Sequence, residues 1–318
     1  MLDSSRDRWI HPAAILVATD LSDLDRLMPF ALQQAEEASA RLFLLHVVPS
    51  TGAMAVDVAG TPYYDQGMSF DNATHVLEPW CERARSRKIR CDALVREGNP
   101  AQQVGVVIRQ FHVDLLVLGT RSRSRLGKLL MGSVAAQLLR SVDLPVMTIG
   151  PEAYLNRENL TPVVLHATTL TKSALPSTRL ACQVALRQAA RLVLLHVLPP
   201  LGDPGSAGAG GNSQAASLDD AAFHQLRVLA AETASVCCTA IDTHVVHGNP
   251  PIEILAQAAE SHASLIVLGA TESYVFENFT RDRTIYKVLA HARCPVLTLR
   301  APTEAPVAIG EPSDAAHR

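Results

Sequence analysis

The chain repeats itself at a constant spacing, and that property restricts it to a fold built twice. The segment RLFLLHVVP (41–49) returns as RLVLLHVLP (191–199), with seven of nine residues identical. LLVLG (115–119) returns as LIVLG (265–269), Gly98-Asn99-Pro100 as Gly248-Asn249-Pro250, and Pro145-Val146 as Pro295-Val296. Every pair is separated by 150 positions. A shared offset across separate motifs requires two structural copies with almost no net insertion between them. The 318 residues leave room for two domains of roughly 150 residues each. The expected boundaries are 10–150 and 160–301, followed by a flexible tail at 302–318. The connection near 151–162 is short, so the halves should pack closely.

Within each copy, short apolar runs alternate with helical patterns. In the first, AAILVA (13–18), RLFLLHVV (41–48), CDALVRE (91–97), DLLVLG (114–119) and PVMTI (145–149) are β-branched or leucine-rich, and most are bounded by Gly, Pro or Asp. Strands covered on both faces have this pattern. Between the first two runs, Leu27, Phe30, Ala31, Gln34, Ala35 and Ala38 form a largely apolar stripe at helical spacing. A second helix is expected near 70–88. A third should follow Gly98, with Asn99 as its cap and Pro100 at its first position. A fourth should begin near Gly132. Strand–helix alternation with short links gives a doubly wound parallel α/β sheet. Apolar residues make up 48% of the chain but aromatics only 4%, so Ala, Val and Leu supply the core. Low-complexity sequence at 202–217 (GDPGSAGAGGNSQAAS) and from Pro302 onward reads as surface loop.

Several function classes are disfavoured. A net charge of −3 supplies no general attraction for nucleic acid or anionic membranes. No apolar run is long enough to span a bilayer. The opening MLDSSRDRWIHP lacks the apolar stretch of a secretory signal, and the six cysteines show no CxxC spacing. A reduced, cytoplasmic setting without a disulfide framework is therefore expected. Cys237 and Cys238 read as small residues flanking a strand. His244 and His247 lack the further ligands that a zinc site needs.

The segment GTRSRSRLGKLLMGSVA (119–135) carries the chemistry. It starts at the carboxyl end of a central strand, where open α/β sheets bind ligands. Gly119 permits a turn and a close backbone approach. Gly132 and Ser133 open a helix whose unpaired N–H groups and dipole favour an anion. Arg121, Arg123, Arg125 and Lys128 surround the bend, so strand end, helix start and cations together form a polyphosphate cradle.

On these residues the chain resembles the universal stress protein family in its tandem two-domain form. Nucleotide-binding members of that family carry G-x2-G-x9-G-[ST] in this loop. The match here is Gly119, Ser122 in place of the second glycine, then Gly132 and Ser133. Ala18-Thr19-Asp20, His46-Val47 and Pro145-Val146 also resemble the family. The resemblance covers roughly residues 10 to 300. It implies a Rossmann-like five-stranded sheet of order 3-2-1-4-5 in each half, with the halves paired through their last strands about a pseudo-two-fold axis. It also implies ATP across the carboxyl ends of strands one and four. Ala18, Thr19, Asp20 and Val47 would line the adenine and ribose region, and Gly119, Arg121, Ser122, Gly132, Ser133 and Val134 would contact ribose and phosphates. Whether Mg²⁺ accompanies the nucleotide, and whether chains associate into homodimers, is left open. Ser122 departs from the pattern: its hydroxyl could donate to a phosphate, but a positive φ there would strain the backbone.

The second copy diverges at the same place. Its segment GATESYVFENFTRDR (269–283) keeps Gly269 but sets Glu272 opposite Ser122, Asp282 opposite Gly132 and Arg283 opposite Ser133. Asp20 corresponds to Thr169. Acidic residues at phosphate-facing positions repel the ligand, so the second site is expected to be degenerate. His46 and His196 recur identically and are read as structural. The resulting expectation is an ATP-binding stress-response sensor or regulator acting through its first domain, with at most slow hydrolysis, because no catalytic base or Walker lysine motif flanks the loop. A nucleotide-free interaction scaffold is the alternative. A nucleotidyltransferase or ATP pyrophosphatase would need an HxGH or SGGxDS-type loop after strand one, where this chain has Ala18-Thr19-Asp20-Leu21-Ser22.

Overall fold

The computed structural model describes residues 11–48, 50, 55–56, 62–63, 66–120, 132–155, 161–171, 174–200, 211–235, 241–270 and 284–300. The first half runs β1 (Ala14–Thr19), α1 (Leu24–Ala38), β2 (Arg41–Val48), the two-residue strands β3 (Ala55–Val56) and β4 (Pro62–Tyr63), α2 (Gln66–Ser86), β5 (Cys91–Glu97), α3 (Pro100–Phe111), β6 (Leu115–Gly119), α4 (Ser133–Ser141) and β7 (Val146–Ile149). The second half follows with β8 (Val163–Ala167), α5 (Ala174–Arg187), β9 (Arg191–Leu198), α6 (Gly211–Ala234), β10 (Ile241–His247), α7 (Pro250–Glu260), β11 (Leu265–Ala270), α8 (Thr284–His291) and β12 (Val296–Arg300).

The long strands form one continuous sheet in the order β10-β9-β8-β11-β12-β7-β6-β1-β2-β5. All neighbours in it are parallel except β7 and β12, which pair antiparallel with Thr148 opposite Val296 and Val146 opposite Thr298. The β-branched runs are buried on both faces because successive side chains point to opposite sides. Ile15 and Val17 of β1 join a core with Leu27 and Met28 of α1, while Leu16 joins a separate core with Val104 and Val107 of α3. Each core continues into the second half, the first through Val164 and Leu192 and the second through Leu165 and Val193.

Local signals explain several helix boundaries. Asn99 caps α3, its Oδ1 accepting from the Gln102 N–H at 3.1 Å, with Pro100 opening the helix. The low-complexity reading at 202–217 ran too far, because α6 already begins at Gly211. The run from Asn212 to Ser217 holds two alanines, a glutamine and neither proline nor glycine, so nothing in it breaks the helix. Four buried cysteines are free thiols, and the structure brings two of them together, with the Cys91 thiol 2.9 Å from Cys81 Sγ.

Beyond the β7–β12 pair, Arg187 donates to Gln34 Oε1 at 2.6 Å, and the Tyr154 N–H donates to the Arg293 carbonyl at 3.0 Å. The Arg140 guanidinium on α4 is hydrogen-bonded to the Tyr286 hydroxyl on α8. Gly150, just after β7, has no space for a side chain, since a Cβ there would lie 2.6 Å from the Leu289 carbonyl oxygen.

The central seam contains a cost. Thr148 and Thr298 are buried at 0% and 7% exposure, and neither hydroxyl oxygen has a hydrogen-bond partner. Valine has nearly the same shape without the stranded polar group. Thr148→Val and Thr298→Val should each raise the unfolding free energy by about 1 kcal/mol, read from the urea midpoint at unchanged slope. A fall in the midpoint would show that the hydroxyls are satisfied in solution.

Candidate functional site

At the carboxyl end of β1 the chain turns through Leu21, held at φ 73°. Two side chains fix this turn. Thr19 Oγ1 accepts from the Leu21 N–H at 2.9 Å and donates to Asp23 Oδ1 at 2.6 Å. Asp20 Oδ1 accepts from the Ser22 N–H at 2.9 Å and from the Ser22 hydroxyl at 2.6 Å, while its side chain stays exposed. His46 on β2 lies opposite Thr19, with its Nδ1 3.0 Å from the Thr19 carbonyl. An imidazole Nδ1–H donating there leaves Nε2 as an acceptor. The repeated histidine thus ties two strand ends together.

Strand register brings several of the expected site residues to one edge of the sheet. Ala18 pairs with Leu45 on one side and Leu118 on the other, so Thr19 and Asp20 emerge between Val47 and Gly119. Ala18 is half-buried and Val47 buried. After β6, the Thr120 N–H donates to the Ile149 carbonyl at 3.3 Å, and the Thr120 carbonyl accepts from the Gly132 N–H at 3.1 Å. The chain therefore leaves the sheet at Thr120 and returns beside it at Gly132. α4 starts immediately, with Gly132 as its N-cap residue, no side chain capping it, and Ser133 and Val134 exposed. Arg121 and Ser122 lie outside the described residues, as do Arg123, Arg125 and Lys128.

One functional group escaped the sequence reading. Asp23 is buried, with 9% of its surface exposed, and burial raises its carboxyl pKa despite the Thr19 hydroxyl donating to it. Its position directly before α1 is an N-cap signal, yet the side chain makes no cap hydrogen bond. It turns back instead toward the strand ends: a Cβ on Gly119 would lie 2.4 Å from Asp23 Oδ2 and 3.1 Å from Arg26 Nη2. A side chain at position 119 would therefore displace the Asp23 carboxylate, which Thr19 holds through its other oxygen. Gly119→Ala should destabilise the chain by about 1–3 kcal/mol, measured by thermal unfolding. The Asp23→Ser change in the same chain should recover most of that loss. Additive losses in the double variant would refute the contact.

The second half keeps the turn and changes its surroundings. Leu170 has φ 56°, and His196 Nδ1 lies 2.8 Å from the Thr168 carbonyl, repeating the Leu21 and His46 arrangement. The ends of β8, β9 and β11 enclose a cavity of about 300 Å³ beneath the starts of α7 and α8. Glu272, Asp282 and Arg283 lie outside the described residues. Where the first half has Val17 opposite Val117, the second has His166 opposite Val267. His166 is fully buried, its Nδ1 3.0 Å from the Val267 carbonyl and its Nε2 3.3 Å from Ser177 Oγ. Burial lowers its pKa from 6.5 to about 4. The folded pKa lies below the unfolded one, so the stability associated with the neutral ring is complete above pH 6.5 and is lost as the pH falls toward 4. That loss should amount to about 3 kcal/mol, and His166→Val, which installs the first half's residue, should flatten the stability profile across this window. An unchanged profile would mean that another group titrates there.

Among the described residues, no group of three or more His, Cys, Asp or Glu side chains is placed to hold a metal ion. No helix among them is long and apolar enough to cross a membrane.

The sequence model of the universal stress protein family matches residues 13–150 and again residues 163–300. A universal stress protein A-like protein of Arabidopsis thaliana is 29% identical over 115 residues, a stretch that spans 34% of this chain and 66% of that protein. Universal stress protein YxiE of Bacillus subtilis is 24% identical over 143 residues, covering 42% of this chain and 97% of its own. Among solved structures, that of a universal stress protein from Archaeoglobus fulgidus superposes with a TM-score of 0.65 at 21% identity, across 91% of this chain and 98% of that one.

Proposed function

The chain belongs to the universal stress protein family, and from that premise we propose that its first half, residues 10–150, binds ATP and that the protein acts in the stress response as a sensor or regulator. The observation that carries this reading is the hydrogen bond from the Gly132 N–H to the Thr120 carbonyl. It sets the start of α4 against the end of β6, so main-chain N–H groups that have no intrahelical partner and the positive end of a helix dipole meet at the strand ends. The segment between those two residues contributes Arg121, Arg123, Arg125 and Lys128 and no acidic residue. Main-chain donors with an excess of positive charge suit a polyphosphate.

In this reading Ala18, Thr19, Asp20 and Val47 receive the adenine and ribose, while Gly119, Arg121, Ser122, Gly132, Ser133 and Val134 receive ribose and phosphates. The exposed Asp20 carboxylate, held by Ser22, is available to a ribose hydroxyl as an acceptor. The function ends at binding, with at most slow hydrolysis, and ATP occupancy is the signal that the protein reports.

Nucleotide extracted from purified chain, together with titration of emptied chain with ATP, tests the proposal. The expected result is about one ATP per chain, lost in Gly132→Glu, whose thermal midpoint should match that of nucleotide-free wild-type chain because bound ATP itself stabilises the fold. Folded protein that neither retains nor takes up ATP would overturn it and leave a nucleotide-free scaffold as the reading.

A further inference from the structure

The outer edge of the sheet in the first half carries two buried thiols that nucleotide binding does not use. We propose that Cys81 and Cys91 form a reversible oxidation site, whose substrate is hydrogen peroxide and whose product is a disulfide that staples α2 to β5.

The two sulfurs come from different elements. Cys81 sits four residues past Leu77 on the buried face of α2, and Cys91 opens β5. Both are buried, at 0% and 3% exposure, and their sulfurs are 2.9 Å apart. That 2.9 Å separation lies within about 1 Å of the S–S bond length of roughly 2.05 Å, so bonding needs only a small adjustment of two side chains. The backbone around them is held independently. The Arg85 guanidinium donates to the Cys91 carbonyl through Nε at 3.2 Å and Nη2 at 2.8 Å, which fixes the last turn of α2 against the first residue of β5. The Ile89 N–H donates to the Ala84 carbonyl at 3.0 Å and closes the turn between the two elements. The thiols are therefore brought together by contacts that do not involve sulfur.

The second half shows that packing alone does not call for sulfur here. Cys91 pairs with Leu42 as Ile241 pairs with Leu192. Leu226 on α6 holds the fully buried place of Leu77 on α2, and four residues beyond it stands Ala230, where α2 has Cys81. Ala230 and Ile241 pack against the same core. Hydrocarbon fills the space in one half, and two thiols in contact fill it in the other.

The surroundings set when the pair reacts. In the folded chain the Cys91 thiol donates to Cys81 Sγ, and that bond together with burial raises the Cys91 pKa. The thiolate is the nucleophile, so the closed pair is protected at rest, and peroxide reaches it when α2 lifts from β5. Such opening costs least at this edge. Among the described strands β5 is the last of its sheet, bonded to β2 alone, and its residues beyond Cys91 are half-buried. The thiolate formed there breaks the O–O bond of hydrogen peroxide, becoming a sulfenic acid and releasing hydroxide, which takes up the thiol proton to give water. The second thiol attacks the sulfenic sulfur; the S–S bond forms, the S–OH bond breaks and a second water leaves. Two thiols lose two electrons and two protons, and one peroxide takes up both to become two waters. A dithiol reductant reverses the step by exchange.

The test oxidises the folded full chain with hydrogen peroxide, blocks remaining thiols with N-ethylmaleimide and maps tryptic peptides by mass spectrometry without reduction. Arg83, Arg85, Arg87, Lys88 and Arg90 lie between the two cysteines, so trypsin parts them and only a disulfide keeps them joined. The expected product is a linked Cys81–Cys91 peptide pair that dithiothreitol separates. Amide hydrogen exchange in the last turn of α2 and in β5 should then slow about tenfold, because the staple opposes opening. The double variant Cys81→Ala with Cys91→Ile, which installs the second half's residues, should show no peroxide-dependent change in exchange. Disulfide formation is independent of ATP binding, so Gly132→Glu should oxidise as wild-type chain does. Recovery of Cys81 and Cys91 as maleimide-labelled thiols after millimolar peroxide would overturn the proposal, as would a disulfide from either to another cysteine. A bond that forms only in urea-unfolded chain, or exchange unchanged by oxidation, would equally overturn it.

Discussion

Everything in this molecule hangs on a short antiparallel contact, the pairing of β7 with β12 through Val146, Met147 and Thr148. Each half ends in a four- or five-residue strand that would otherwise expose a row of unpaired main-chain groups. Pairing those edges with each other removes both and makes one sheet of ten strands. The direction of the pairing has a geometric consequence. Within each half the strands of this sheet are all parallel to one another, so an antiparallel seam points the carboxyl ends of the two halves in opposite directions. The carboxyl strand ends of the two halves therefore lie at opposite ends of the same sheet. The helices that begin at those ends, α4 and α8, both run beside the seam and meet through Arg140 and Tyr286.

Duplication followed by divergence leaves each half as a control for the other. The strand-end turn is retained in both, down to the left-handed leucine and the histidine that bonds the preceding carbonyl. What has changed is chemistry around a preserved frame. Val17 has become a buried histidine at 166, and a uniformly basic bend has become a mixed, net acidic one. A frame whose energy lies in its aliphatic core tolerates such exchanges at its strand ends, because the two apolar layers continue unbroken from one half to the other.

How far the sequence could be read varied with the range of the forces involved. The strand–helix alternation was legible because burial imposes a period of two on strands and of 3.6 on helices, and residues such as Leu27, Phe30 and Ala31 record it directly. The α3 cap was legible because Asn99 and Pro100 act on their own neighbours. Asp23 was not, since it stands where a cap belongs and its carboxylate engages Thr19 and the end of β6 instead. The loop reading across 202–217 failed where composition was allowed to override helix propensity, as the start of α6 at Gly211 shows. The unpaired hydroxyls of Thr148 and Thr298 gave no signal, because threonine is an ordinary strand residue until another strand closes over it.

By itself, the sequence determined that this protein is two copies of one α/β unit, which of them carries the basic glycine-framed bend, and where the long strands of the first copy lie. These are matters of local periodicity and of identity between positions 150 apart. Tertiary structure alone decided that the Asp23 carboxylate lies against Gly119, that His166 is buried where its charged form is disfavoured, and that the second half has a hollow at its strand ends. Each of these depends on side chains far apart in the chain meeting at a few ångströms, and pair distances of that kind leave no periodic trace in either partner's neighbourhood.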